Sequence, residues 1–116
     1  MSPEGDCLFC RIAHRTIAAE VVGETDELVA FKDINPQAPT HLLVVPKEHI
    51  PTVSDTTEAQ APLVGRLVQF ANRLAGQYRL SEGFRLVINC GPQAGQSVWH
   101  LHLHLLGGRV LRWPPG

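Results

Sequence analysis

One stretch in the last quarter of the chain restricts the fold more than any other. From residue 100 to residue 106, three of the six histidines alternate with leucine, as His100-Leu101-His102-Leu103-His104-Leu105-Leu106. Strict alternation is typical of a β-strand, because successive side chains of a strand point to opposite faces of the sheet. The sequence therefore predicts a strand over residues 98–106, with the leucines in a core and the three imidazoles on the other face.

The spacing of the three histidines predicts separate roles for them. Each histidine has two ring nitrogens that need hydrogen-bond partners when buried, so a row of three is unusual for a purely structural strand. At about 3.3 Å per residue, the α-carbons of His100 and His104 are roughly 13 Å apart in a strand, too far to share one metal ion comfortably. Adjacent histidines can share an ion, but the row as a whole indicates distinct tasks.

The composition excludes several classes of partner. At 116 residues, with 44% hydrophobic and 18% charged residues, the chain is expected to form a single globular domain over residues 1–116. A net charge of −1 gives no attraction to a nucleic-acid polymer or to an anionic membrane surface. The sequence shows no run of the roughly 18 apolar residues that a membrane helix needs. The acidic residues 1–6 are not expected to be a signal peptide.

The cysteines favour a reduced, cytoplasmic setting. The chain has three cysteines, and an odd number argues against a disulfide framework. Cys7 and Cys10 form a C-x-x-C pair, which by itself fits either half of a zinc site or two small apolar residues. A redox pair is disfavoured because the pair does not follow a strand in a βαβ unit. Cys90, at the end of an apolar strand pattern, is expected to be buried and inert.

The remaining patterns predict an α+β fold with an antiparallel sheet. A broad i, i+3, i+4 apolar stripe predicts one long helix over residues 61–78. Strands, then a helix, then further strands favour an antiparallel sheet over repeated βαβ units. The further predicted strands are residues 20–24, 28–32, 41–46 and 84–90.

The residues before the histidine stretch suit a phosphate group. Gly91 and Gly95 let backbone N–H groups approach an anion closely. Asn89 and Ser97 flank this loop, although spacing alone does not decide whether Ser97 faces the histidines. A neutral imidazole is a nucleophile near pH 7, and the sequence shows no acidic cluster for magnesium. These residues favour covalent histidine chemistry without a magnesium requirement.

The histidine stretch resembles the signature of a known family. It matches, in every position, the His-φ-His-φ-His-φ-φ motif of the histidine-triad (HIT) nucleotide-binding proteins, in which φ is apolar. Residues 33–41, 95–100 and 113–116 are also similar to the Hint branch of that family. His104 stands where galactose-1-phosphate uridylyltransferases have glutamine, which disfavours that branch. The resemblance covers residues 7–116.

This resemblance implies a fold, a reaction and a partner. The implied fold is a five-stranded antiparallel sheet with one long helix and a short N-terminal helix, and the sheet continues across a homodimer. The implied protein is a purine nucleoside phosphoramidase, which cleaves the P–N bond of adenosine 5′-phosphoramidates, and also hydrolyses aminoacyl adenylates, through a nucleotidyl-histidine intermediate. The alternative is a nucleotide-binding scaffold or interaction module with vestigial hydrolase activity. The intact triad favours the enzyme, since a pure binder needs no nucleophile.

The resemblance also implies roles for individual residues. His102 would attack the α-phosphorus, with His104, Ser97 and His41 as the other catalytic residues. Asp33 would accept hydrogen bonds from the ribose hydroxyls, and Trp113 would reach the active site of the partner subunit. The other residues implied to contact the nucleotide, besides His102, His104 and Ser97, are Leu8, Phe9, Ile12, Phe31, Ile34, Leu43, Asn89, Gly95, Gln96 and Val98.

A zinc site is the last implication. Zinc-containing members of the family combine a C-x-x-C pair with two histidines, and the matching positions here are Cys7, Cys10, His49 and His100. Four thiolate and imidazole ligands make a closed tetrahedral site, which is typical of structural rather than catalytic zinc. His14 is a rival ligand, but it is expected to be exposed.

Overall fold

Five antiparallel strands form one sheet in the computed structural model, which describes residues 7–116. A short helix, α1 (Leu8–Ala13), precedes the sheet, and a long helix, α2 (Ala61–Gln77), connects its third and fourth strands. The predicted fold, with one long and one short helix, is confirmed. The strands lie in the order β1-β2-β3-β5-β4 and are β1 (Val21–Glu24), β2 (Leu28–Lys32), β3 (Thr40–Pro46), β4 (Phe84–Val87) and β5 (Leu103–Gly107).

Helix α2 covers one face of the sheet with the apolar stripe that the sequence shows. Pro62 lies in its first turn, where a missing N–H costs no hydrogen bond. The stripe packs against the leucines that separate the histidines, so the predicted burial of Leu101, Leu103 and Leu105 is confirmed. The buried residues of the helix are Leu63, Leu67, Phe70, Ala71, Leu74 and Ala75.

Helix α1 covers the opposite face. Its Phe9 and Ile12 pack against Phe31 and Leu43, which alternate along β2 and β3 with the residues that face α2. Because both faces are covered, β2 and β3 are apolar along almost their whole length. The histidines of the triad lie on this side of the sheet, which places them beside α1.

The histidine stretch is a regular strand only in its second half. His100 and His102 lie in an irregular segment before β5, so the predicted strand over residues 98–106 was too long. The ladder with β3 stops there because Pro46 has no N–H to continue it. The Pro46 carbonyl instead accepts a hydrogen bond from His100 Nε2, and the Leu101 N–H donates to the carbonyl of Ile50.

Strand β4 also ends earlier than predicted, at Val87, where its pairing partner β5 begins. Cys90 therefore lies in a loop, and the prediction that it is buried is wrong. The residue is half-buried, and its Sγ lies 3.2 Å from Ser54 Oγ. Hydrogen bonds with Ser54 lower the pKa of the Cys90 thiol.

Two sequence predictions concerned membranes and export. Among residues 7–116, no helix is both long and apolar enough to cross a membrane. The prediction that residues 1–6 are not a signal peptide lies outside the described residues.

Candidate active site

A cavity of about 660 Å³ opens on the α1 side of the sheet. Residues of α1 and of the central strands form its apolar wall. The loop before β5 and the histidines form the rest of its lining. Ser97, whose direction the sequence left open, lines the cavity. The predicted catalytic and nucleotide-binding residues found there are Leu8, Phe9, Ile12, Phe31, Asp33, Ile34, His41, Leu43, Gly95, Ser97, Val98, His102 and His104.

Three of the predicted nucleotide contacts are placed elsewhere by the fold. Gln96 is buried. Its Oε1 accepts a hydrogen bond from the N–H of Gly91, and its Nε2 donates to the carbonyl of Pro51, so the side chain stabilises the loop. Asn89 is half-buried beyond the end of β4 and does not line the cavity. The side chain of Trp113 is 81% exposed in the C-terminal tail. The folded subunit therefore does not bring the side chains of these three residues to the cavity.

Several cavity residues were not anticipated from the sequence. The segment 17–19, after α1, forms part of the apolar wall, and no pattern in the sequence marks it. Asn35 and Gln37, in the loop after β2, line the rim. The proximity of both residues to Asp33 in the sequence was a signal that could have identified them.

A backbone carbonyl determines the tautomer of His102. The His102 Nδ1 atom lies 2.7 Å from the carbonyl oxygen of His100. A carbonyl can only accept, so Nδ1 carries the proton and Nε2 keeps a free lone pair. Burial lowers the pKa of His102, which keeps the ring neutral at pH 7. Phe9 packs against this ring edge-on, with 5.0 Å between centroids, and restricts its orientation.

A second chain of hydrogen bonds determines the tautomer of His104. The backbone N–H of Gln37 donates to His41 Nδ1 over 3.0 Å, so neutral His41 carries its proton on Nε2. That group donates to His104 Nδ1 over 2.9 Å, which leaves the His104 proton on Nε2. Burial and the neighbouring imidazoles of His102 and His41 lower the pKa of His104 to about 4. At pH 7, His104 is a neutral ring with a hydrogen-bond donor at Nε2.

Asp33 completes this end of the cavity. Its Oδ1 accepts the N–H of Asn35 over 2.8 Å, and its Oδ2 lies 3.5 Å from His41 Nε2. Asp33, His41 and His104 have the composition of a metal site and lie close together. However, His41 Nε2 carries a proton while Gln37 donates to the other ring nitrogen, and a protonated nitrogen cannot bind a metal. We interpret this group as a hydrogen-bond relay.

The four predicted metal ligands lie together at the start of α1. Cys7 Sγ and Cys10 Sγ are each 3.3 Å from His100 Nδ1, and Cys10 Sγ is 3.2 Å from His49 Nδ1. All four ligand atoms lie within 4.8 Å of one another. His100 Nε2 donates to the Pro46 carbonyl over 2.7 Å, so the Nδ1 lone pair faces the sulfur atoms. The set fits a tetrahedral Cys₂His₂ site.

This cluster and the candidate nucleophile share one backbone segment. The ring of His100 faces the cysteines, while its carbonyl accepts the proton of His102 Nδ1. Phe9, next to Cys10, contacts the rings of both histidines. The groups that can hold a metal therefore also orient the ring of His102.

The chain is similar to proteins of one family along most of its length. Residues 14–111 match the model of the HIT domain. An uncharacterized HIT-like protein of Synechococcus elongatus is 49% identical over 111 residues, which cover 96% of this chain and 97% of that protein.

Solved structures agree with this match. A HIT family hydrolase from Legionella pneumophila superposes with a TM-score of 0.93 at 50% identity, covering 95% of this chain and 99% of that one. A zinc-bound histidine triad family protein from Mycobacterium smegmatis gives a TM-score of 0.82 at 30% identity, covering 91% and 77%. With this fold, its row of histidines and these relatives, the chain belongs to the HIT family.

Proposed function

We propose that this protein is a purine nucleoside phosphoramidase that hydrolyses the P–N bond of adenosine 5′-phosphoramidates and the acyl-phosphate P–O bond of aminoacyl adenylates. One observation carries the proposal: the hydrogen bonds leave a free lone pair on His102 Nε2 beside a donor N–H on His104 Nε2. A nucleophile paired with a neutral donor suits attack on a phosphate that carries negative charge. The hydrolase from Legionella pneumophila, similar over nearly its whole length, supports the reaction class.

The reaction would proceed in two displacements at phosphorus. First, His102 Nε2 forms a bond to the α-phosphorus, and the P–N bond breaks with its electron pair on the departing nitrogen. That nitrogen takes up one proton, and His104 Nε2 is the group placed to assist the transfer. In the second step a water molecule attacks phosphorus, His102 leaves, and the proton that the first step consumed is returned. Ser97 and the backbone near Gly95 would hold the phosphate oxygens.

The nucleoside would occupy the apolar side of the cavity. The carboxylate of Asp33 keeps acceptor capacity for ribose hydroxyls, each of which is a donor. Ile34, which is 99% exposed, also lines the cavity, so a bound nucleoside would cover it. Phe9, Phe31 and Leu43 form the wall against which a purine base would lie.

The central test is release of AMP from an adenosine 5′-phosphoramidate without added magnesium. We expect wild-type protein to release AMP, and His102→Ala to lower kcat/KM by at least about a thousandfold, because the covalent route is lost. His14→Ala, a change of an exposed histidine outside the cavity, is the matched control. Equal rates for wild type and His102→Ala would remove the case for the enzyme.

The scaffold alternative makes a different prediction in the same experiment. A nucleotide-binding module with vestigial hydrolysis would bind AMP, as measured by calorimetry, but release it from the phosphoramidate only slowly and at similar rates in wild type and His102→Ala. His102 donates its Nδ1 proton to a carbonyl, so its Nε2 keeps a free lone pair. This arrangement favours the enzyme, because nucleotide binding alone does not need a nucleophilic nitrogen.

We also propose that Cys7, Cys10, His49 and His100 bind a structural zinc ion. The distances between the sulfur and nitrogen atoms fit four ligands around one ion, and a relative from Mycobacterium smegmatis is zinc-bound. The ion would cross-link α1 to the sheet and would take no part in the reaction. Elemental analysis of freshly purified protein should give one zinc per chain, and Cys10→Ser should lose it. Absence of zinc from wild-type protein prepared without chelators would contradict this.

The third part of the proposal is a homodimer whose sheet continues across two subunits. The sheet has two edges, β1 and β4. At β1 a register irregularity and ion pairs of Glu24 with Arg15 and Lys47 protect the edge. At β4 the apolar Phe84 is exposed, and no ion pair among residues 7–116 covers the strand. We infer that β4 pairs with β4 of a second subunit, and that Trp113 then packs against that subunit.

A further inference from the structure

A second pocket, of about 430 Å³, adjoins the nucleotide cavity. The two spaces share Leu8, Ser97 and Val98 as lining residues. On its far side the second pocket is lined by Pro51 and Trp99, and the metal cluster forms the rest of its lining. The three shared residues therefore form a rim that borders both spaces.

The walls of this pocket are apolar and unusually exposed. Trp99 is 47% exposed and Leu8 is 44% exposed, although both are large hydrophobic side chains. Beyond the cysteine and histidine of the metal cluster, the lining has no ionisable side chain. Exposed apolar residues that converge on one concavity are typical of a ligand site.

The proposed reaction gives this pocket an occupant. In an in-line displacement the leaving group lies on the side of phosphorus opposite the nucleophile, here His102 Nε2. The nucleoside takes the apolar wall formed by Phe9, Phe31 and Leu43, so the group on nitrogen needs a different space. The neighbouring space across the Ser97–Val98 rim is the second pocket.

We propose that this pocket binds the leaving group of the phosphoramidate and selects amines that carry an apolar, preferably aromatic, substituent, with Trp99 as the main contact. The inference rests on the proposed function, which it deepens by naming the leaving-group class. Trp99 offers a flat apolar face to an aromatic ring. An amine that carries a carboxylate would find no cationic partner there and would have to desolvate its charge.

The test compares adenosine 5′-phosphoramidates whose amines have similar basicity but different substituents. Phenethylamine and propylamine derivatives differ mainly in the aromatic ring, and a β-alanine derivative adds a carboxylate. For wild-type protein we expect kcat/KM for the phenethylamine derivative to exceed that for the propylamine derivative by about three- to tenfold, the size of an aromatic contact. The β-alanine derivative should be the poorest of the three.

Variants at position 99 separate this contact from the rest of the site. Trp99→Ala should reduce the preference for phenethylamine to about twofold or less, and Trp99→Phe should keep most of it. Val110→Ala, at an 84% exposed position outside the pocket, is the control for a surface truncation. Calorimetric affinity for AMP should be the same in all of these proteins.

Two results would overturn the inference while leaving the phosphoramidase intact. One is equal kcat/KM for the phenethylamine and propylamine derivatives in wild-type protein. The other is a loss in Trp99→Ala that is the same for both derivatives, which would mean that Trp99 supports the fold or the nucleotide. Failure of the proposed function looks different, because then none of the derivatives releases AMP.

Discussion

Single backbone groups assign the protons of the histidine rings at the candidate site. The carbonyl of His100 takes the Nδ1 proton of His102, and the N–H of Gln37 places the proton of His41 on Nε2. Neutral imidazole has one donor and one acceptor, so fixing one nitrogen determines the other. Two identical side chains two residues apart thus differ at Nε2, where His102 has a free lone pair and His104 has a donor N–H.

The first prediction concerns the protonation of His104. Burial and two neighbouring imidazoles lower its pKa from 6.5 to about 4, so the neutral ring should persist well below the pH at which an ordinary histidine is protonated. The Cε1–H resonance of His104 should titrate near pH 4, with His104→Gln used to assign the signal. A midpoint at 6.5 would contradict the buried environment.

The second prediction isolates the N–H of Gln37. Gln37→Pro removes that donor, whereas Gln37→Ala keeps it and removes only the side chain. We expect kcat/KM for the phosphoramidate to fall about ten- to hundredfold in the proline variant, because His41 can then adopt the other tautomer. The alanine variant should stay within about twofold of wild type. Equal activity of the two variants, both folded by circular dichroism, would refute the relay.

At the scale of elements, the two helices have different attachments to the sheet. Helix α2 has 17 residues and buries a continuous stripe in the core, so its stability comes from packing. Helix α1 has only 6 residues, too few for a helix to persist alone, and it forms a wall of the cavity. The cysteine and histidine cluster, together with the contacts of Phe9 with His100 and His102, joins it to the segment before β5.

A third prediction tests the packing of α2 on the sheet. Leu105 is fully buried beneath the helix, so Leu105→Ala should lower the free energy of unfolding by about 2–5 kcal/mol through lost contacts and a cavity. The exposed Val110→Ala should change it by less than about 0.5 kcal/mol. Urea titration followed by circular dichroism measures both, and similar values for the two variants would contradict the described core.

A fourth prediction concerns metal removal. If zinc connects α1 to the sheet, a chelator should speed amide hydrogen exchange in residues 8–13 and weaken AMP binding several-fold, because α1 supplies a wall of the cavity. Exchange in the central strand β3 should change much less. By linkage, AMP should raise the affinity for zinc by the same factor. Unchanged exchange in α1 after complete metal removal would contradict this coupling.

At the scale of the whole molecule, the two edges of the sheet differ, and this difference underlies the proposed dimer. The β1 edge carries ion pairs and an irregular register, whereas β4 has no ion pair among residues 7–116 and presents backbone groups beside exposed Phe84. A sheet edge left in this state is a template for pairing with another strand. The tail with Trp113 follows β5, the strand next to β4.

The fifth prediction follows from that asymmetry. Wild-type protein should sediment as a dimer at micromolar concentration, and Phe84→Asp should shift it towards the monomer, because the pairing of two copies would bring like charges close together. Glu20→Lys, a charge change next to β1 at the opposite edge, should leave the dimer intact. A monomeric wild type, or dissociation by the β1 change alone, would exclude pairing through β4.

Much of the fold could be predicted because its signals are local. The stripe of α2, the alternation of Leu101, Leu103 and Leu105, and the hairpin of β1 and β2 each follow from the geometry of one element. Errors arose where an element's extent depends on its neighbour. The histidine strand is shortened because Pro46, on another strand, cannot continue the ladder.

The sequence by itself determined the residue types of the site, the face on which the histidines lie and the family to which the chain belongs. Only the tertiary structure decided which nitrogen of each ring carries the proton, and that the carboxamide of Gln96 turns inward. The physical reason is range. The periodicity of apolar residues reflects the geometry of residues that are close in the sequence. Cys7, by contrast, contacts His100 from 93 residues away, and the position of a ring proton depends on partners that are distant in the sequence.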